Sequence, residues 1–244
     1  MGKGVDYYRI YDSHGQALGL RGDRLTLIFP VLWLVLLKVV GNPQYVNYFI
    51  VGTVVNASFL VPFIGTTQDM GYFKRASSIY TMLSSNGADD LDIAIGYLLH
   101  TAILNTPVII ALLSASIVIM GASFGVVEIL AATGAALLIS LISALLGYSL
   151  GISIRNYRIS NQLSQIIPWP LLLLAPVYYP ASVLPEALRY ISMAMPTTYM
   201  ALAVNVVLNL DLHQAATGLA GLSIYAFISI AIAKYAMHRS ERYG

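Results

Sequence analysis

The sequence predicts an all-α integral membrane protein with six transmembrane helices, an N-terminal interfacial helix and a re-entrant helical hairpin between the fifth and sixth spans. Composition, the spacing of apolar stretches and the distribution of basic residues lead to this prediction. Of the 244 residues, 58% are hydrophobic and 10% are charged, whereas soluble domains carry about 25% charged residues. Because so few charges cannot cover a water-facing surface, the apolar excess is expected to face lipid.

Six apolar stretches approach the length of about 20 residues that a helix needs to cross the bilayer core. A further apolar segment, 180–214, is interrupted by Pro185 and Pro196, and we interpret it as a helical hairpin dipping into one leaflet. The chain is thus divided into a tail with the interfacial helix (1–24), one transmembrane domain (25–236) and a second tail (237–244). The predicted spans are 25–40, 45–66, 93–120, 126–154, 163–179 and 215–236.

The basic residues set the orientation. Eleven of the 13 Lys and Arg residues fall in the two tails, in the even-numbered loops or, for Lys234, at the C-terminal end of the last span, and Lys38 and Arg189 are the exceptions. Cytoplasmic loops carry the excess of Lys and Arg, so the sequence predicts a multi-pass protein of the plasma membrane with both termini cytoplasmic. Segment 5–20 mixes Tyr7, Tyr8 and Tyr11 with charges, which favours an interfacial helix at the headgroups over a disordered tail.

Motifs for soluble chemistry are missing from the sequence. It has no phosphate-binding loop and no cysteine, and its four histidines are scattered, so we predict no catalytic residues, no metal site and no cofactor on this chain. A net charge of +2 is too small to indicate a nucleic-acid partner.

Polar residues inside the spans are the remaining candidates for a substrate path. Each can line such a path or simply bond two helices together. A separate set of small residues, Ser143, Gly147 and Gly151, predicts close packing of the fourth helix. The candidates for a substrate path are Asn56, Ser58, Asn105 and Gln165.

Ionisable residues in the spans are few. His100 is either a proton relay or, more in keeping with the lack of a carboxylate partner in the sequence, a neutral packing residue. Lys38 and Asp69 are placed at span ends, where they can reach the interface. No carboxylate is central in a span, which argues against ion-coupled transport and for an energy source on another chain.

Segment 171–208 (LLLLAPVYYPASVLPEALRYISMAMPTTYMALAVNVVL) contains proline steps in a fixed order. It resembles the segment that follows the fifth span in the ABC transporter type-2 permease family, the membrane subunits of many ATP-driven exporters. We also predict that Glu186 and Arg189 pair at i, i+3. The residues assigned to the outer hairpin are Tyr179, Pro180, Pro185, Glu186, Arg189, Pro196 and Tyr199.

Loop 73–99 resembles the same family's cytoplasmic coupling loop, which sits in a cleft of the ATP-binding subunit. Tyr80 departs from the pattern, since many relatives carry Glu there, and Asn86-Gly87 replaces a common proline. The acidic residues 89, 90 and 92 predict the N-terminus of a helix. By resemblance, the apolar contacts are Ile79, Met82 and Leu83, and the flanking residues are Lys74 and Arg75.

The resemblance implies a half-transporter that works by alternating access with a second permease chain, as a homodimer or heterodimer. It also implies two copies of a separate ATP-binding subunit, which would hold the ATP and Mg²⁺. The apolar spans suggest a hydrophobic or amphipathic substrate, such as a drug-like molecule, a lipid or a lipid-linked glycan. Two alternatives stay open. An ion-coupled transporter or channel requires a buried carboxylate, and a membrane-embedded enzyme requires a His, Asp or Glu cluster at one depth.

Overall fold

The computed structural model describes residues 31–75, 77–209 and 212–243, and the regular elements in these ranges are all helical. The predicted tail and interfacial helix at 1–24 lie outside the described residues. Short 3-10 turns occupy Pro43–Tyr45 and Ala181–Val183. The α-helices are α1 (Val31–Val40), α2 (Val46–Arg75), α3 (Ile79–Ser85), α4 (Asp90–Met120), α5 (Val126–Ser153), α6 (Tyr157–Ile166), α7 (Pro168–Leu173), α8 (Glu186–Met193), α9 (Pro196–Asn209) and α10 (Leu212–Tyr243).

Four helices in the described part of the chain are long and apolar enough to cross a membrane, namely α2, α4, α5 and α10. They correspond to the second, third, fourth and sixth predicted spans and confirm the all-α, multi-pass class. α1 covers the end of the first predicted span, whose start lies before the described residues. The predicted total of six single-helix spans is therefore not confirmed.

The fifth predicted span, 163–179, is not one helix. α6 ends at Ile166, α7 occupies Pro168–Leu173, and the chain then leaves the helical conformation. Pro168 has no N–H to donate to the carbonyl four residues earlier, and its ring crowds the preceding turn. The hydropathy of this stretch suggests a span, and proline geometry divides it into two short pieces.

The hairpin segment contains α8 and α9, which meet at an angle of 83°. Pro185 precedes α8 and Pro196 begins α9, so both prolines stand where a missing N–H costs least. The bend is that of a broken span or a re-entrant loop. α9 continues into the protein core, where Met200 and Val204 are fully buried.

The core is built on the close approach of α2 and α5, as the small residues of the fourth predicted span indicate. A Cβ atom on Gly147 would lie 2.5 Å from the carbonyl oxygen of Phe63, and one on Gly151 would lie 2.8 Å from that of Thr67. Ser143 is also fully buried. Since only glycine fits at this distance, the small-residue face fixes which sides of α2 and α5 meet.

Candidate functional site

The helix α3 presents an apolar surface at one end of the bundle, here called the α3 end. Ile79, Met82 and Leu83 are 41%, 57% and 38% exposed. They recur at i, i+3 and i+4, so they form one stripe along the helix. The three residues predicted as apolar contacts therefore do share an accessible face, which we call the α3 stripe.

Tyr80 is the buried residue of α3, with 8% of its surface exposed. Its hydroxyl donates to the Asp90 carboxylate and accepts from Lys74 Nζ at 3.2 Å. Burial, and then the hydrogen bond to Asp90, raise the pKa of Tyr80 well above its usual value. Tyr80 consequently stays a neutral donor at physiological pH and ties α3 to the first turn of α4.

Lys74 does not flank the α3 stripe as predicted. Its ammonium forms a 3.5 Å ion pair with Asp90, both side chains being about one-tenth exposed (9% and 11%), and lies 4.5 Å from the centre of the Tyr80 ring. The acidic start of α4 and the aromatic ring draw the cation inward. Arg75, the other predicted flanking residue, is half-buried.

The acidic residues after α3 begin α4 as the sequence predicts. Asp89 accepts from the Asp92 N–H at 2.8 Å, and Asp92 accepts from the Asp89 N–H at 3.2 Å, which completes a capping box. Tyr148 of α5 adds a bond that the sequence does not reveal, because its hydroxyl donates to the Asp90 carbonyl oxygen at 2.8 Å. The first turn of α4 is thus bonded to α2, α3 and α5.

At the opposite end of the bundle, here called the hairpin end, hydroxyl groups hold the turns between α7, α8 and α9. Thr197 Oγ1 donates to the Leu171 carbonyl, and the Tyr199 hydroxyl donates to the Met193 carbonyl at 2.9 Å. The Tyr179 hydroxyl donates to Leu173 at 3.2 Å. These carbonyls belong to helix C-termini, which lack backbone donors of their own. The Pro-Thr-Thr-Tyr motif therefore supplies donors to the ends of the broken helices.

The prediction that Glu186 and Arg189 pair is wrong: among the described residues, these two side chains form no ion pair. Arg189 Nε donates to the Ala181 carbonyl at 3.2 Å, and Nη2 reaches those of Ser182 and Leu184 at 3.5 and 3.3 Å. The 3-10 turn before α8 directs several carbonyls toward the guanidinium. The several N–H donors of the planar guanidinium can bond to these carbonyls together, so Arg189 binds them and not the exposed carboxylate of Glu186.

A cavity of about 450 Å³ opens at the hairpin end between α2, α8, α9 and α10. Its volume lies in the range of small-molecule sites. The wall combines apolar side chains of α2 and α9 with aromatic rings and hydroxyl groups. The polar lining residues include Tyr48, Arg189, Ser192, Thr198, Tyr199 and Asn205. Of these, the sequence singles out Arg189 and Tyr199 as hairpin residues, but not as cavity residues.

The four residues predicted as a possible substrate path lie apart. Asn56 Nδ2 donates to the Tyr178 hydroxyl at 3.0 Å, and Asn105 Nδ2 donates to Ser140 Oγ at 2.8 Å. Ser58 is fully buried in α2, and Gln165 is exposed on α6. Within one chain, Asn105 links α4 to α5 as the packing alternative expects, and Asn56 links α2 to the non-helical stretch after α7. Their role in a substrate path stays a prediction.

Asp69 is not at a free span end. It lies inside α2, half-buried, and its carboxylate accepts from the Tyr97 hydroxyl of α4. The Tyr97 ring is 5.7 Å from that of His100, centre to centre. His100 thus has a carboxylate two contacts away, which the linear sequence does not show. Among the described residues, no group of three His, Asp or Glu side chains is placed to hold a metal.

Several helices that are long and apolar enough to cross a membrane define a multi-pass helical membrane protein. The chain belongs to the ABC-2 type transporter family, whose model matches residues 21–208. This is a family of transmembrane permeases that are not themselves ATPases and that work with an ABC ATP-binding subunit. A comparison with curated proteins finds no match to the chain.

Proposed function

We propose that this chain is the permease subunit of an ATP-driven exporter. It moves a hydrophobic or amphipathic substrate across the plasma membrane by alternating access, with both termini and the α3 end in the cytoplasm. Two ATP-binding subunits supply ATP and Mg²⁺, and a second permease chain, either a copy or a sister chain, completes the translocation path. The observation that carries this proposal is the α3 stripe, held outside the bundle by charged and hydroxyl groups.

The stripe supports docking because of how α3 is stabilised. A helix of seven residues is too short to be stable alone in water, so its contacts with α2 and α4 hold it in place. Tyr80 faces those contacts, and Ile79, Met82 and Leu83 stay exposed. A fixed helix that leaves its apolar side uncovered fits a partner with an apolar cleft.

The cavity at the hairpin end supports an amphipathic substrate. Tyr48 and Tyr199 offer flat apolar surfaces. The hydroxyls of Ser192 and Thr198 donate to the carbonyls of Arg189 and Ser192, so their oxygens are left to accept hydrogen bonds from a substrate. The guanidinium of Arg189 is already engaged by three backbone carbonyls. A substrate with an apolar body and hydroxyl or amide groups suits this lining better than a strongly anionic one.

The test is transport in proteoliposomes that contain the permease and its ATP-binding subunit. We expect a fluorescent short-chain lipid or a lipophilic dye to move on addition of ATP and Mg²⁺, and not on an imposed proton or sodium gradient. Replacing Ile79, Met82 and Leu83 together with Asp should abolish substrate-stimulated ATP hydrolysis while the protein still inserts. Full stimulation in that variant would contradict the role of the α3 stripe.

Topology is tested separately, in this chain without cysteine. Single cysteines replacing Glu186 or Arg189 should react with an impermeant maleimide added outside the cell, whereas Thr81→Cys should react only after permeabilisation. External labelling of Thr81→Cys would reverse the proposed orientation.

The Asp69–Tyr97 contact is the observation that favours the alternative, ion-coupled transport. Under that alternative, Asp69→Asn abolishes gradient-driven flux and ATP is not required. Under the exporter proposal, Asp69→Asn retains ATP-dependent transport.

A further inference from the structure

We propose that Lys74, Tyr80, Asp90 and Tyr148 form a coupling hub that transmits movement of α3 to α5 and from there to the cavity at the hairpin end. They are positioning residues, since none of them lies on the α3 stripe. This inference rests on the proposed function, because it requires a partner that moves α3.

The hub connects four helices through few atoms. Lys74 lies in the last turn of α2, Tyr80 lies in α3, Asp90 begins α4 and Tyr148 lies in α5. The Asp90 carboxylate accepts a hydrogen bond from the Tyr80 hydroxyl and forms the ion pair with Lys74. The carbonyl oxygen of Asp90 accepts a hydrogen bond from the Tyr148 hydroxyl at 2.8 Å. Displacing α3 therefore acts directly on a residue that is bonded to α5.

The position of Tyr80 makes it the point at which a force on α3 reaches the bundle. The α3 stripe lies on the side that is open to a partner, and Tyr80 is on the buried side of the same helix. The chain after α3 turns at Gly87, which has a φ of 91°, a conformation that glycine adopts without strain. A turn of this kind bends more readily than the hub, whose charged hydrogen bonds are strong where water is largely excluded.

From Tyr148 the connection continues through tightly packed elements. The neighbouring Gly147 touches the backbone of α2, where a side chain has no room. α5 also packs against α9, which lines the cavity with Tyr199, Ala201 and Leu202. Since packed interfaces of this kind move as units and do not deform continuously, a shift of α5 is felt at the cavity wall.

The experiment uses the complete complex with its ATP-binding subunit and needs no known substrate. Leu202→Cys, in the cavity wall, is labelled with a maleimide from outside, with and without ATP plus vanadate. In the otherwise unchanged chain we expect trapping to alter the labelling rate. Tyr148→Phe removes one hydrogen bond of the hub, so the nucleotide-dependent change should become about fivefold smaller, as expected for the loss of one hydrogen bond. Tyr80→Phe removes two, so its change should be at least as small. ATP hydrolysis by the complex should persist.

Tyr235→Phe is the matched control, because Tyr235 is 66% exposed and makes none of the hub's hydrogen bonds; it should keep the full change. Lys74→Arg should keep it as well, whereas Lys74→Met should lose it.

If Tyr80→Phe does not assemble, Tyr148→Phe decides, since it leaves the Lys74–Tyr80–Asp90 contacts intact. A full nucleotide-dependent change in assembled Tyr148→Phe complexes would overturn the hub alone. Failure of the unchanged chain to bind any ATP-binding subunit would overturn the proposed function.

Discussion

The two ends of the bundle hold short helices by different chemistry. At the α3 end, Lys74, Tyr80 and Asp90 bond side chain to side chain, and one contact is an ion pair. At the hairpin end, Thr197 and Arg189 donate to backbone carbonyls. Bonds between side chains can be exchanged by rotating a few torsions, whereas bonds to backbone carbonyls fix the path of the chain itself.

This difference fits a division of work between the ends. The hairpin end needs a fixed shape, because irregular backbone near lipid must keep its carbonyls satisfied. The α3 end needs a connection that is firm but able to rearrange when a partner moves. Changes at the hairpin end should therefore reduce stability, and changes at the α3 end should alter coupling as well as stability.

The largest expected effect comes from breaking the contact that joins the two ends. Gly147→Leu places a side chain against the α2 backbone, 2.5 Å from the Phe63 carbonyl oxygen, and should lower the free energy of unfolding by about 3 kcal/mol. Gly134→Leu on the same helix meets nothing within 4 Å and is the control. Equal losses in a denaturant titration of the two variants in detergent would contradict the proposed packing.

Removing the cation at the α3 end should have the next largest effect. Lys74→Met leaves the Asp90 carboxylate without its ion-pair partner, which should cost about 2 kcal/mol because hydrogen bonds to charged groups are strong. Lys234→Met, at an exposed position, should be nearly silent. The same denaturant titration measures both variants. If Lys74→Met left the free energy of unfolding unchanged, the ion pair would contribute no net stability.

Removing a hydroxyl at the hairpin end should cost less. Thr197→Val leaves the Leu171 carbonyl without its side-chain donor, for a loss of about 1 kcal/mol in the free energy of unfolding. ATP hydrolysis per assembled complex should not change. Thr81→Val, at an exposed position outside the cavity and the α3 stripe, is the control. A loss of coupling in Thr197→Val without a loss of stability would contradict the division between the ends.

The smallest effect is expected for the acidic residue of the hairpin. Glu186→Gln should change stability by less than about 0.5 kcal/mol, as is usual for a surface position without a structural partner, because Arg189 bonds to carbonyls. Arg189→Met should cost more than Glu186→Gln, since three carbonyls lose a donor. Equal effects of the two substitutions would favour the ion pair that the sequence suggests.

Local patterns predicted some features correctly, and contacts distant in sequence explain the failures. The apolar stretches of α2, α4, α5 and α10, the acidic start of α4 and the small-residue face of α5 follow from residues close in sequence. The prediction of a fifth span at 163–179 failed because the apolar residues on both sides of Pro168 give the length of a span, while its backbone interrupts the helix.

The candidate site was predicted only in part, for the same reason. The α3 stripe follows from the spacing of Ile79, Met82 and Leu83 together with the family resemblance. The sequence shows Tyr80 only as a departure from the family pattern. Its role and the inward position of Lys74 depend on contacts with Asp90, which Tyr148 also contacts. Tyr148 is 58 residues from Asp90 in the sequence, so no periodicity could indicate the contact.

The most direct measurement of the central claim is the affinity of the ATP-binding subunit for the permease in lipid nanodiscs. Met82→Asp adds a charge to the α3 stripe, and Thr81→Asp adds the same charge to the next residue, which is exposed outside the stripe. We predict that Met82→Asp weakens binding at least about tenfold, equivalent to about 1.4 kcal/mol, and that Thr81→Asp binds like the unchanged chain. Equal affinities for the two variants would contradict the claim that the α3 stripe is where this permease meets its ATPase.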